Sequence, residues 1–133
     1  MDKQERIAPR LPKRERMVSQ KLVETLFNGG NSHSVAVFPL RAVYAKTNRQ
    51  EDDAPVQLLI SVAKKRFHHA VDRNRVKRQI REAYRHHKDI LYAALPATEQ
   101  LLLAYVWLAD RHMSSAEVES RIVKLMQRIA EKL

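Results

Sequence analysis

Apolar positions along this chain switch between helical and strand-like spacing, and each switch marks an element. From Asp72, the expected N-cap, Val76, Ile80, Ala83, Tyr84 and His87 recur at helical spacing. They fall within an arc of about 100° when each residue turns by about 100°. A shorter stripe, Leu22, Val23, Leu26 and Phe27, follows Ser19, and Asn28-Gly29-Gly30 supplies the left-handed conformations that end such a helix. A third, Val118, Ile122, Leu125, Met126, Ile129 and Leu133, begins after a Ser114/Glu117 capping box. Between the helices lie strand-like runs. Val35 to Lys46 is rich in β-branched and aromatic residues, but Pro39 cannot donate to a ladder, so the run is bent, bulged or at an edge and is readable as two short strands. Thr47 to Pro55 is a polar turn region, and Val56 to Val62 is a strand around Leu58-Leu59-Ile60. Leu101 to Ala109 is apolar throughout, which suggests a central strand covered on both faces.

This order, αβββαβα, predicts an α+β fold, a two-layer sandwich of helices on a mixed sheet. Residues 1–16 are polar and basic, contain Pro9 and Pro12 and show no periodicity; they are expected to form a flexible arm, with residues 17–133 as a single domain. The absence of cysteine excludes disulfides, thiolate zinc sites and cysteine nucleophiles, and fits a cytoplasmic protein. Neither a signal peptide nor a membrane span is expected, since no apolar run is long enough.

Charge changes the picture most. Of 25 Lys and Arg in the chain, Lys64, Lys65, Arg66, Arg73, Arg75, Lys77, Arg78, Arg81, Arg85 and Lys88 lie in one segment, against the acids Asp72 and Glu82. Lys77, Lys88, Arg81, Asn74, Arg85 and Arg78 fill an arc beside the apolar stripe of the same helix, so one face is core and the next is cationic. A solvated helix surface normally mixes signs, and here only Glu82 can pair along the helix. Nucleic acid is the partner that such a field suits. Arg73 and Arg75 in the first turn oppose the macrodipole, and a phosphate shared by both guanidinium groups and the free backbone N–H groups would explain them.

The run Ala70-Val71-Asp72-Arg73-Asn74-Arg75-Val76-Lys77-Arg78-Gln79-Ile80-Arg81 resembles the signature of the bacterial ribonuclease P protein subunit. Ile60-Ser61-Val62-Ala63-Lys64-Lys65 looks like that family's strand ending in a lysine pair, and Lys13-Arg14-Glu15-Arg16-Met17 through Phe27 and Gly30 looks like its basic arm and first helix. The resemblance implies a central four-stranded sheet shared with a domain of a small-subunit ribosomal protein. It also implies a left-handed βαβ crossover, against the right-handed form found in about 98% of cases. By the same resemblance, Lys64, Lys65, Arg73, Asn74, Arg75, Lys77, Arg78, Arg81 and Arg85 would bind a catalytic RNA subunit. Val23, Phe27, Arg14 and Arg16 would hold the 5′ leader of precursor tRNA, in a cleft between the first helix and the sheet. Val23 stands where the family often has a second phenylalanine, and Arg41 falls where a strand tyrosine is expected. Cleavage would use Mg²⁺ held mainly by RNA and substrate, with no catalytic residue and no metal ligand in the protein.

Other chemistry-bearing residues give weaker signals. The pairs His68-His69 and His86-His87 lack the spacing and third ligand of a zinc site; His68 and His69 extend the basic surface, and His87 is expected to be partly buried. Glu51-Asp52-Asp53 reads as a solvated turn, and with glycine only at positions 29 and 30 no Gly-rich phosphate loop can form. Two competing classes are a structural RNA binder of ribosomal type, which needs no leader cleft, and a DNA-binding regulator, which would need a scaffold helix before the basic one.

Overall fold

The computed structural model describes residues 11–133. A single 3-10 turn at Lys13–Glu15 is followed by α1 (Gln20–Asn28), β1 (His33–Val37), β2 (Leu40–Asn48), β3 (Val56–Ser61), α2 (Ala70–His87), α3 (Asp89–Ala94), β4 (Glu99–Trp107) and α4 (Ser115–Ala130). The strands form one mixed sheet in the order β1-β2-β4-β3, antiparallel except for the β3–β4 pair. The α+β sandwich with a central four-stranded sheet is therefore present. Its parallel pair is joined through α2. None of the described helices is long and apolar enough to cross a membrane.

Side-chain alternation along the strands divides the interior into two cores. On one face Leu103, Tyr105 and Trp107 of β4 and Ala42 and Tyr44 of β2 meet Val76, Ile80, Ala83 and Tyr84 of α2 and the apolar stripe of α4. Each large apolar side chain buried there contributes roughly 1.5–3 kcal/mol. On the opposite face Val43, Ala45, Leu102 and Ala104 pack under Leu26 of α1 and Met17. Strand β4 is thus covered on both sides, which its unbroken apolarity required.

Several local expectations need correction. Helix α2 starts two residues before Asp72, and His69 is its N-cap, with no side-chain cap bond. Asp72 instead sits in the first turn, where the macrodipole favours a carboxylate. Strand β2 extends to Asn48 and takes up two residues of the expected turn, because pairing with β4 continues to Glu99. Helix α3 was not anticipated; Leu91, wholly buried against the main core, holds it in place. At the end of α1 only Gly30 is left-handed, with φ of 80°. Gly29 is right-handed and is needed for a different reason, since a Cβ there would collide with the Thr25 carbonyl.

Of the expected arm, residues 1–10 lie outside the described residues, whereas 11–16 are built into the domain. Leu11 is buried in the main core, and Arg16 bridges Leu58 in parallel while the Met17 amide donates to the Leu58 carbonyl at 3.0 Å. This segment caps the open edge of β3. The other edge, β1, is covered from α4, where Arg121 donates to the Phe38 carbonyl at 3.3 Å and Arg128 to the Ala36 carbonyl at 3.4 Å.

One buried acid fixes the segment. Glu15 is 8% exposed and accepts from Lys88 Nζ at 3.0 Å and from the Tyr92 hydroxyl at 3.2 Å, tying residues before α1 to the α2–α3 junction. Burial, and then the Glu15 charge, push the Tyr92 hydroxyl up to about 12. An unfolded chain loses that proton first, so this group lowers stability as pH rises from about 10 towards 12. Glu15→Gln should cost roughly 2 kcal/mol in urea denaturation at neutral pH, the scale of a hydrogen bond to a charged group. In an ultraviolet titration the same variant should ionise Tyr92 at lower pH, and an unchanged titration would contradict the coupling.

Candidate nucleic-acid interface

Helix α2 is held by the four side chains it buries, and its cationic arc then divides into neutralised and unneutralised groups. Arg85 pairs with Glu82 at 2.6 Å, and Lys88 is drawn to Glu15 at one end. Arg66, before the helix, pairs with Asp110 at 3.2 Å. By contrast Lys64, Lys65, Arg75 and Arg78 are exposed, and they and half-buried Lys77 have no ion pair or side-chain hydrogen bond among the described residues. Asn74 is exposed beside them, as are His68 and His69 in the preceding loop.

Arg73 behaves differently from its neighbours. Its Nη1 donates to the carbonyls of Phe67 at 2.8 Å and His68 at 2.9 Å, which folds the loop back onto the first turn. One nitrogen of the Arg73 guanidinium is therefore engaged by backbone acceptors, which sets Arg73 apart from Arg75. The same loop is clamped from the far side: the Phe67 ring stacks on His112 with centroids 4.6 Å apart, and His112 Nε2 lies 3.0 Å from the Asp72 carboxylate. Gln79 donates to the Met113 carbonyl at 2.9 Å and fastens α2 to the start of α4. There Glu117 is held below the usual carboxylate range by the backbone and side-chain hydrogen bonds of Ser114. These positioning residues come from separate stretches of chain. Only the Ser114/Glu117 box among them has a local sequence signal.

On the side facing α4, α2 presents Gln79, Glu82 and Ala83 together with Arg78, beside Ser115 and Glu119, and His87 is bonded to Glu119 at 2.7 Å rather than lying in apolar surroundings. Lys77 and Arg81 turn instead towards residues 11–18 and the β3 edge. There Arg16, Lys77 and Arg81 border an apolar groove of about 200 Å³, floored by Leu58, Leu59 and Ile60. The fold thus joins an expected leader contact, Arg16, to two expected RNA contacts. Arg14 is not part of this group, since it reaches the Asp52 carbonyl at 3.3 Å in the acidic turn. On α1, Val23 is half-buried in the second core, and Phe27 keeps 41% of its surface exposed. Asp53 in that acidic turn accepts from the Gln50 amide at 2.8 Å.

A family model described as Ribonuclease P matches residues 11–130. The chain is 38% identical over 121 residues to the ribonuclease P protein component of Porphyromonas gingivalis, covering 90% of this chain and 86% of that one. Its identity to the corresponding component of Chlorobaculum tepidum is 36% over 104 residues, covering 74% and 68%. The solved structure of the Staphylococcus aureus RNase P protein is similar in fold, with a TM-score of 0.62 at 23% identity, covering 88% of this chain and 95% of that one.

The division of labour within the signature predicts unequal effects on folding. Arg73→Ala should destabilise the domain by about 1–2 kcal/mol, because two loop carbonyls lose a charged donor. Arg75→Ala and Arg78→Ala should stay within about 0.5 kcal/mol of the parent, as exposed positions do. Urea denaturation of the three variants checks this, and equal stabilities would show that Arg73 does not hold the loop.

Proposed function

Since the chain belongs to the ribonuclease P protein family, we propose that it is the RNA-binding, non-catalytic subunit of a cytoplasmic ribonucleoprotein that removes the 5′ leader from precursor tRNA. The observation that carries this reading is the set of unneutralised cations, Lys64, Lys65, Arg75, Lys77 and Arg78, on an α2 pinned by its buried face. Phosphates of the catalytic RNA supply the missing anions, and release of condensed counterions drives the association. Asn74 and Arg81 extend the contact, and Arg73 takes part by shaping the loop that presents Lys64 and Lys65. Arg85, paired with Glu82, sits at the margin.

The leader in this reading runs over the sheet face that carries α1, past Val23 and Phe27 and on towards Arg16. That face adjoins the cationic side of α2, so RNA subunit and substrate can be held at once by one small domain. The protein acts by screening phosphate repulsion and by restricting the leader to one path, which raises the effective concentration of the scissile bond at the RNA active site. Mg²⁺ belongs to the phosphates of the RNA subunit and substrate. The unneutralised groups on α2 are ammonium and guanidinium, which repel a divalent cation, and its two carboxylates, Asp72 and Glu82, are engaged by His112 and Arg85.

Two measurements test the reading. Titrating the RNA subunit with Arg75→Ala and Arg78→Ala at several salt concentrations should give weaker binding, with the log–log salt slope reduced by about one for each lost phosphate contact. Slopes identical to the parent would remove α2 from the RNA interface. A photo-crosslinking residue in place of Val23 should label the 5′ leader of precursor tRNA in the assembled complex, whereas labelling of the RNA subunit alone would leave a structural RNA binder.

A further inference from the structure

Strand register places Ala36, Arg41, Val106 and Ser61 side by side in one row across the sheet face that carries α1. Helix α1 covers the rows below it, which contain Val43, Ala45, Leu102 and Ala104. The row itself stays open: Ala36 and Arg41 are exposed, Val106 and Ser61 half-buried. At its β3 end the chain passes directly to exposed Lys64 and Lys65.

The strand aromatics are absent from this floor for a reason of parity. Tyr44, Tyr105 and Trp107 all point to the other face and are buried there. The row therefore offers small side chains and one cation. Arg41 Nε donates to Ser34 Oγ at 2.9 Å, which orients the guanidinium plane, and both Nη groups have no partner among the described residues. No carboxylate pairs with it among the described residues.

We propose that Arg41 is a specificity-determining phosphate clamp for the single-stranded leader, so that the floor of the cleft reads backbone charge and is nearly indifferent to base identity. This rests on the leader path given above. A guanidinium held through Nε presents its two Nη groups as a fork matched to two phosphate oxygens. Ala36 and Val106 beside it can lie against a ribose or a base edge, but cannot supply the ring on which a base would stack.

The test uses the chain assembled with its RNA subunit. Affinity is measured for precursor tRNA and for the same tRNA without leader at several salt concentrations, and then with an abasic nucleotide at each leader position in turn. Arg41→Ala should reduce the leader's contribution about fivefold, the upper end of the loss for one solvent-exposed ion pair. Its salt slope should fall by about 0.7, the value for one phosphate of a single strand. Arg41→Lys should restore most of the slope, and leaderless tRNA should bind all variants alike. Abasic precursors should bind the parent within about twofold, below the loss that a stacked base gives. An unchanged leader contribution in Arg41→Ala, or an abasic loss above about fivefold that persists when Phe27→Ala removes the one ring on the leader path, would overturn the proposal. If the leader is still labelled from Val23 while Arg41→Ala is silent, the clamp falls and the leader path stands. If the leader is not labelled and adds nothing to affinity, the path falls and the clamp with it.

Discussion

Repulsion between like charges on α2 is the constraint that the rest of the structure has to meet. Two cations about 6 Å apart near a protein surface cost up to about 3 kcal/mol, and Lys77, Arg81 and Arg85 follow one another at the four-residue spacing that makes neighbours on a helix. The fold answers in two ways. Val76, Ile80, Ala83 and Tyr84 bury completely or nearly so, which fixes the helix whatever its charges do. Then the charges at the margins are neutralised: acids from elsewhere take two of them, Glu15 pairing with Lys88 and Asp110 with Arg66, and Glu82 of the same helix takes Arg85. Lys64, Lys65, Arg75, Lys77 and Arg78 are left without counterions among the described residues. Their field is therefore concentrated where a polyanion can approach, and the cost of holding it is met by packing on the other side of the same helix.

The second consequence is geometric. Because β2 and β4 alternate their side chains between two faces, the large rings go to the face under α2 and α4, where the deep core has room for them. The opposite face receives Val43, Ala45, Leu102 and Ala104, a ring-free surface that a single short helix, α1, covers with Leu26. That leaves a shallow open strip beside α1, next to the loop bearing Lys64 and Lys65. Core packing and the shape of the open surface are thus set by one alternation.

Much of this was legible in the chain. The stripes of α1, α2 and α4 appeared at their spacing, and the apolar run at Leu101–Ala109 announced a strand covered on both sides. Both follow from local periodicity. The missed features are non-local or too short to show a period. Helix α3 spans only Asp89–Ala94, and its existence depends on Leu91 finding a place in a core built by distant strands. Residues 11–16 looked like an arm because they are polar and irregular, yet Leu11 and Glu15 are buried by partners more than 40 residues away, such as Lys88. Arg73 could be placed on α2 by counting, but that its guanidinium is taken by the Phe67 and His68 carbonyls depends on how the loop folds back.

The sequence by itself determined which residues are cationic, which faces of the helices are apolar, and the family to which the chain is similar, since composition, period and a fixed motif are all properties of neighbours along the chain. Tertiary structure decided which of those cations remain unneutralised, that Arg16 joins Lys77 and Arg81 along one groove, and that Arg41 stands on an open strip without rings. The physical reason is that charge neutralisation and exposure depend on distances between segments. Those distances are fixed only when the strands pair in register and the helices settle on their separate faces.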